Sequence, residues 1–205
     1  MPRIEAPTVA EHREMRRREV VTNARELLMR EGPTGVTPAA VAKATGLARS
    51  SVYQYYPTTG ALIGAAVEDL FALAQERVDA ALAEAGDDPG ARLVAYVGTT
   101  LELAAQGHSP GRTMGMTGIP AKGVARLREL HDALAAPLVE IVGRYAAQLP
   151  GADARVLAGL ASGTLSGAAM LVEHGAPLPE VTAATVGFVS AALRPAGPGS
   201  SPGHE

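Results

Sequence analysis

An all-α protein of nine helices in a two-domain architecture is what this sequence predicts, and three observations predict it. Apolar residues recur at helical spacing along nearly the whole chain, glycine and proline fall where helices should begin and end, and no stretch reads as a strand. The third is composition: of 205 residues, 47% are hydrophobic and only 3% aromatic, with no Trp. Ala, Val and Leu must therefore fill the core, and such small side chains let helix axes approach closely. The absence of cysteine excludes disulfides, thiolate metal sites and cysteine nucleophiles.

The elements follow from local signals. Thr8 and Glu11 have capping-box spacing and open a first helix, with Val20, Ala24, Leu27 and Leu28 on one face and a stop at Gly32. Thr37-Pro38 is a cap followed by proline at the first helical position, where its missing N–H costs nothing. This second helix should bury Val41 and Ala44 and end at Gly46. A third short helix spans about Arg49 to Tyr55, Pro57 ends it, and Thr58 caps a long fourth helix to about Glu84. Asp88-Pro89 opens a fifth that closes at Gly107. From His108 to Pro120 glycine and proline indicate a loop, with one helical turn near Met114. The helical pattern that continues to Leu149 is interrupted by Pro137, which should kink or split it. The last two helices cover about Asp153 to His174 and Leu178 to Leu193. Residues 194–205, Pro-, Gly- and Ser-rich, form a disordered tail.

Val156 to Val172 carries no charge over 17 residues, the low edge of a membrane span. Its Gly, Ala, Ser and Thr content, with Arg155 and Glu173 at its ends, fits a buried helix of a soluble protein better. The start of the chain shows no export signal, so a cytoplasmic location is expected. Net charge is −3, unevenly distributed: residues 1–60 hold nine Lys/Arg against six Asp/Glu, while the remainder is acidic. A basic head on an acidic body is the asymmetry of a chain in which one end meets phosphate.

The stretch from Val36 to Leu62 carries most of the functional information. Two short helices joined at Gly46-Leu47-Ala48 have the helix-turn-helix layout, packed internally through Val41, Ala42, Leu47 and Val52. The second presents Arg49, Ser50, Ser51 and Gln54 near its start, where side chains reach base edges in a major groove. Arg bonds guanine bidentately and Gln bonds adenine. Three of the five tyrosines crowd between 53 and 56 and are expected to face solvent.

Through Gly46-Leu47, Val52-Tyr53, Tyr55-Tyr56-Pro57 and Ala61-Leu62 the sequence resembles the TetR (tetracycline-repressor-like) family of bacterial regulators. The resemblance is specific over about residues 12–65. It implies a head at 1–57 that binds DNA and a body at 58–193 that binds an effector and dimerises. Residues Thr37, Arg49, Ser50, Ser51, Tyr53, Gln54, Tyr55, Thr58 and Thr59 are expected at the DNA, with Tyr53 and Tyr55 on its backbone. Tyr56 would pack between the helix-turn-helix and the fourth helix. Two departures matter. Thr59 stands where the family usually has a phosphate-binding Lys, followed by Gly60, and Ala48 replaces a common capping Ser.

Arg13, Arg16, Arg17 and Arg18 read either as phosphate contacts or as a solvated face with a Glu14–Arg18 pair. Gly159, Gly163 and Gly167 recur every four residues beside Ser162 and Ser166. They make a smooth helix face suited to dimer contact or to packing within the chain. Tyr96, Thr99, Thr100 and Leu103 on the fifth helix, with Met114, Met116, Leu127, His131 and Leu134, are expected to line a mostly apolar effector cavity. The histidines lack metal-ligand spacing and no catalytic motif appears, so neither catalytic nor metal residues nor cofactors are expected. The reading is therefore a homodimeric regulator, most simply a repressor, that binds a palindromic double-stranded operator and is released by a small hydrophobic effector. It involves no membrane. The rival is a helical small-molecule-binding protein whose head has lost operator binding.

Overall fold

A computed structural model describes residues 9–110 and 121–194. Among these residues the chain has eight α-helices and no strand. They are α1 (Val9–Glu31), α2 (Pro38–Thr45), α3 (Arg49–Tyr55), α4 (Thr59–Ala85), α5 (Pro89–Ala105), α6 (Ala121–Ala146), α7 (Ala154–Glu173) and α8 (Leu178–Ala192). A 3-10 turn, Pro33–Gly35, between α1 and α2 was not foreseen. The Thr8 cap, the turn near Met114 and the tail from 195 onward lie outside the described residues.

The helix ends follow the local chemistry. The Thr37 hydroxyl accepts from the Ala40 N–H at 3.1 Å, and Asp88 does the same for Ala91 at 2.7 Å. Asp153 accepts from the amides of Arg155 and Val156. Gly46 ends α2 at φ 68°, a left-handed conformation that costs a residue with a Cβ about 1–2 kcal/mol.

Among the described residues eight helices rather than nine result because α6 runs through Pro137. Proline there removes one hydrogen bond, the one that would reach the carbonyl of residue 133. Ala133 is exposed, so the freed oxygen is not forced into an apolar interior and the helix continues. A second correction concerns α2: Ala44 is exposed, and Ala42 is the buried partner of Val41.

The chain divides into two compact units. Of the described residues, one comprises 9–73, 110 and 121–131 and the other 74–109 and 132–194, so the division falls inside α4 and α6. In the first unit, α2 packs on both α1 and α3. Val20, Leu28, Val41, Val52 and Leu62 are fully buried there. In the second, α5, α7 and α8 pack on one another. Leu93, Tyr96, Val97, Leu101, Ile141, Val142, Leu165 and Val189 share a core with Ala158, Ala161, Ala168 and Ala169. These four alanines are where low aromatic content becomes close helix packing. Truncating a buried Leu such as Leu101 to Ala in such a core costs about 2–5 kcal/mol.

Candidate functional site

The turn between α2 and α3 is fixed by backbone bonds: the Leu47 N–H donates to the Ala42 carbonyl at 3.0 Å. Ala48 caps α3 without a side-chain bond, as its methyl group requires. Val52, fully buried, holds α3 against its unit and so turns the opposite face outward. That face carries Arg49, Ser50, Tyr53 and Gln54, all exposed, with Ser51 half-buried beside them. Arg49 and Tyr53 are one turn apart and already paired. The guanidinium donates to the phenol oxygen at 3.3 Å and lies 5.7 Å from the ring centroid. Such contact limits the freedom of both side chains before any partner arrives.

The tyrosine cluster is less exposed than the sequence implied. Only Tyr53 is exposed; Tyr55 is half-buried and Tyr56 is buried. Tyr56 has a physical reason to be inside, because Arg17 of α1 sits over its ring at 5.9 Å. A hydrogen bond from Arg17 to the Tyr56 side chain, foremost, holds the guanidinium above its ordinary pKa. The basic cluster of α1 is also more paired than free: Arg16 with Glu19 at 2.7 Å, Arg17 and Arg18 with Glu14 at 3.7 and 3.5 Å. Arg13 is exposed.

Thr37 and Thr58 use their hydroxyl oxygens as helix caps, Thr58 accepting from the Ala61 N–H at 3.1 Å. An oxygen that accepts in this way keeps its own O–H to donate outward. Thr59 is exposed at the first turn of α4, where backbone amides lack helix partners. No sequence signal pointed to the ion pair between Arg25 of α1 and Asp69 of α4, 2.8 Å long and 44 residues apart.

The expected effector residues are placed as follows. Tyr96, Thr99, Thr100, Leu103 and Leu134 belong to the second unit, Leu127 and His131 to the first. Met114 and Met116 lie outside the described residues. The Tyr96 hydroxyl donates to the Leu134 carbonyl at 3.1 Å, and burial pushes its pKa up to about 12. Thr100 donates to the Tyr96 carbonyl within its own helix at 2.8 Å, Thr99 is half-buried and Leu103 is buried. His131 meets Phe71 edge-on, 4.7 Å between centroids. Of the seven that are described, only Leu127 lines a cavity of about 420 Å³ in the first unit, which runs along the start of α4 as far as Glu68.

The glycine face of α7 is open. Gly159, Gly163, Ser166 and Gly167 are exposed and Ser162 is half-buried. A Cβ added at any of the three glycines would meet nothing within 4 Å. These glycines are therefore not required for packing within the chain. Around them Val156, Leu160, Met170 and Leu171 are each more than half exposed, as is Phe188 on α8. Among the described residues α7 alone is long and apolar enough to cross a membrane, by length and composition only.

Residues 20–66 match the family model of bacterial regulatory proteins, tetR family. This span runs from mid-α1 into α4 and contains the whole helix-turn-helix. No curated protein matches the sequence. Solved structures share the fold. A TetR transcriptional regulator from Chloroflexus aurantiacus superimposes with TM-score 0.73 at 21% identity, covering 87% of this chain and 96% of that one. A putative transcriptional regulator from Saccharomonospora viridis in complex with choline gives 0.71 at 18% identity, with 86% and 96% covered. The transcriptional regulator FadR from Bacillus subtilis in complex with stearoyl-CoA gives 0.70 at 14%, with 84% and 96% covered.

Proposed function

We propose that the chain, whose residues 20–66 match the tetR-family model, is a homodimeric repressor with an N-terminal DNA-binding domain. It recognises a palindromic operator and is released by a small, mostly hydrophobic effector. The observation that carries the DNA-binding part is the outward face of α3. Arg49, Ser50, Tyr53 and Gln54 are exposed together on a helix whose other side is anchored by Val52. Arg49 and Gln54 read base edges in the major groove, while Ser50 and Ser51 are short enough to let the backbone come close. Tyr53, Tyr55 and the free O–H groups of Thr37 and Thr58 contact phosphates, which position the head without reading sequence. Thr59 replaces a charged phosphate contact with a neutral one, and the positive end of α4 supplies the remaining attraction.

Dimerisation through α7 and α8 is supported by their exposed apolar face. Val156, Leu160, Met170, Leu171 and Phe188 surround three glycines that leave room for a facing helix. A two-fold dimer presents two α3 helices to two half-sites, which is why a palindrome is the expected target. Release requires an effector that binds the DNA-free state better, typically by ~5–150-fold. The fold does not name that effector, since neighbours of the same fold hold choline and stearoyl-CoA. A regulatory rather than an enzymatic role follows from the same reading.

Fluorescence anisotropy of the purified chain on DNA flanking its own gene tests the proposal. Salt-sensitive binding with preference over random DNA is expected. Equal, negligible affinity for both would favour the rival, a helical ligand-binding protein without an operator, for which Thr59 and Gly60 are the supporting residues.

A further inference from the structure

The cavity of about 420 Å³ in the first unit lies along the first half of α4, with α6 supplying its other wall. Its size is within the range of small-molecule sites, ~300–1,000 Å³. Ile63 and Val67 of α4, with Leu127 and Leu130 of α6, give it an apolar lining. Gly64 leaves it open, because a Cβ there would meet nothing within 4 Å.

Two charged residues stand at its edge. Arg126 Nε donates to Glu68 Oε1 at 3.2 Å, and Arg126 Nη1 donates to Glu129 Oε2 at 3.1 Å. One guanidinium is thus shared by two carboxylates, and Arg17 and Arg18, which share a second groove with Glu68 on its α1 side, are held by Glu14, so on the cavity side a negative charge is in excess. That excess selects the ligand. An anion entering the cavity would have to draw Arg126 away and leave Glu68 uncompensated beside it. A cation does the opposite: it pairs with Glu68, while Arg126 keeps Glu129 one turn away on its own helix. The exchange leaves no charge unpaired.

We infer that this cavity binds a small amphipathic monocation, its ammonium or amidinium group on Glu68 and its hydrocarbon body among Ile63, Val67, Leu127 and Leu130. The inference does not depend on the head binding DNA, so its test contains none.

Isothermal titration calorimetry of the full chain at pH 7 and low salt would compare three probes of one shape: 4-phenylbutylammonium, 4-phenylbutanol and 4-phenylbutyrate. The ammonium should bind tightest and the carboxylate weakest, with roughly fivefold or more between them, in keeping with partly exposed charges. Glu68→Gln should remove the preference for the cation and leave the alcohol's affinity unchanged. Gly64→Val, which places a side chain in the cavity, should weaken all three. Gly64→Ala, a smaller change read beside the thermal unfolding curve, serves if the larger one disturbs folding. Equal affinities, tighter binding of the carboxylate, or a cation preference that survives Glu68→Gln would overturn the assignment.

Discussion

Arg25 Nη1 donates to Asp69 Oδ2 at 2.8 Å, joining α1 to α4 through a guanidinium that is only 14% exposed. Its Nη2 also holds Glu26 at 2.9 Å, so both faces of the fork are used. Geometry of this kind gives an ion pair more than the small value of a surface pair, because the unpaired partner is left in a partly desolvated place. Arg25→Met should lower the unfolding free energy by about 1–3 kcal/mol. Asp69→Asn should cost less, since the Arg25 it leaves behind keeps Glu26 as a partner. The double variant should cost less than the two together, with a coupling of about 1 kcal/mol. Urea denaturation of the four proteins measures this, and simple additivity would mean the pair adds nothing to stability.

The proposed function assigns base recognition to α3. Gln54→Ala and Arg49→Ala should each lose about 1–3 kcal/mol of operator affinity and relax preference at particular base pairs. Arg49→Ala also frees Tyr53 from its 3.3 Å hydrogen bond, so it should weaken non-specific binding slightly as well. Tyr53→Phe should weaken all DNA alike. Anisotropy titrations against operator variants separate these effects, and an unchanged base preference in Gln54→Ala would move recognition off this helix.

Thr59→Lys restores a charge at the start of α4. It should tighten operator and random DNA together and steepen the salt dependence by about one phosphate contact per subunit. If the salt slope is the same as in the parent, α4 does not approach the DNA backbone.

The boundaries of α2, α5 and α7 were legible because caps are short-range chemistry: Thr37, Asp88 and Asp153 accept from amides two or three residues ahead. What was not legible depends on the rest of the fold. Pro137 should break a helix by local rules, yet α6 continues because the freed carbonyl belongs to an exposed residue. Ala44 is as small as Ala42 and lies on the same helix, and only packing decides that it stays outside while Ala42 goes in as expected. The residues alone make Tyr56 read like its neighbours; only the resemblance set it apart, and in the structure Arg17 lies over its ring. The Arg25–Asp69 pair leaves no periodic trace. In the candidate site, the outward residues of α3 were readable from helix geometry alone. The cavity beside Gly64 was not, because an absent side chain leaves no mark in a hydrophobic pattern.

Gly163→Leu puts a large side chain on the α7 face we assign to the dimer. Within the chain nothing lies within 4 Å of the added Cβ, and leucine favours helix over glycine by about 1 kcal/mol. The variant should therefore fold normally and sediment as a monomer. A stable dimer of unchanged circular dichroism would place the interface away from this face.

Tyr96 makes a stability prediction whose sign follows from its burial. The phenol is 4% exposed, donates to the Leu134 carbonyl, and has its pKa pushed from the ordinary value of 10 up to about 12 by desolvation. The folded state thus holds the proton that the unfolded chain begins to release near pH 10. Its contribution is fully present below pH 10 and is lost as pH rises to about 12. Two pH units correspond to about 2–3 kcal/mol. Tyr96→Phe lacks this proton and should lose only the hydrogen bond, about 1 kcal/mol, at pH 8. At pH 12 the order should reverse, with the phenylalanine variant the more stable, because other ionisations are common to both proteins and cancel. Urea unfolding of the pair at pH 8, 10 and 12 measures the crossing. Parallel curves would mean that the Tyr96 phenol ionises in the folded state as it does in the unfolded chain.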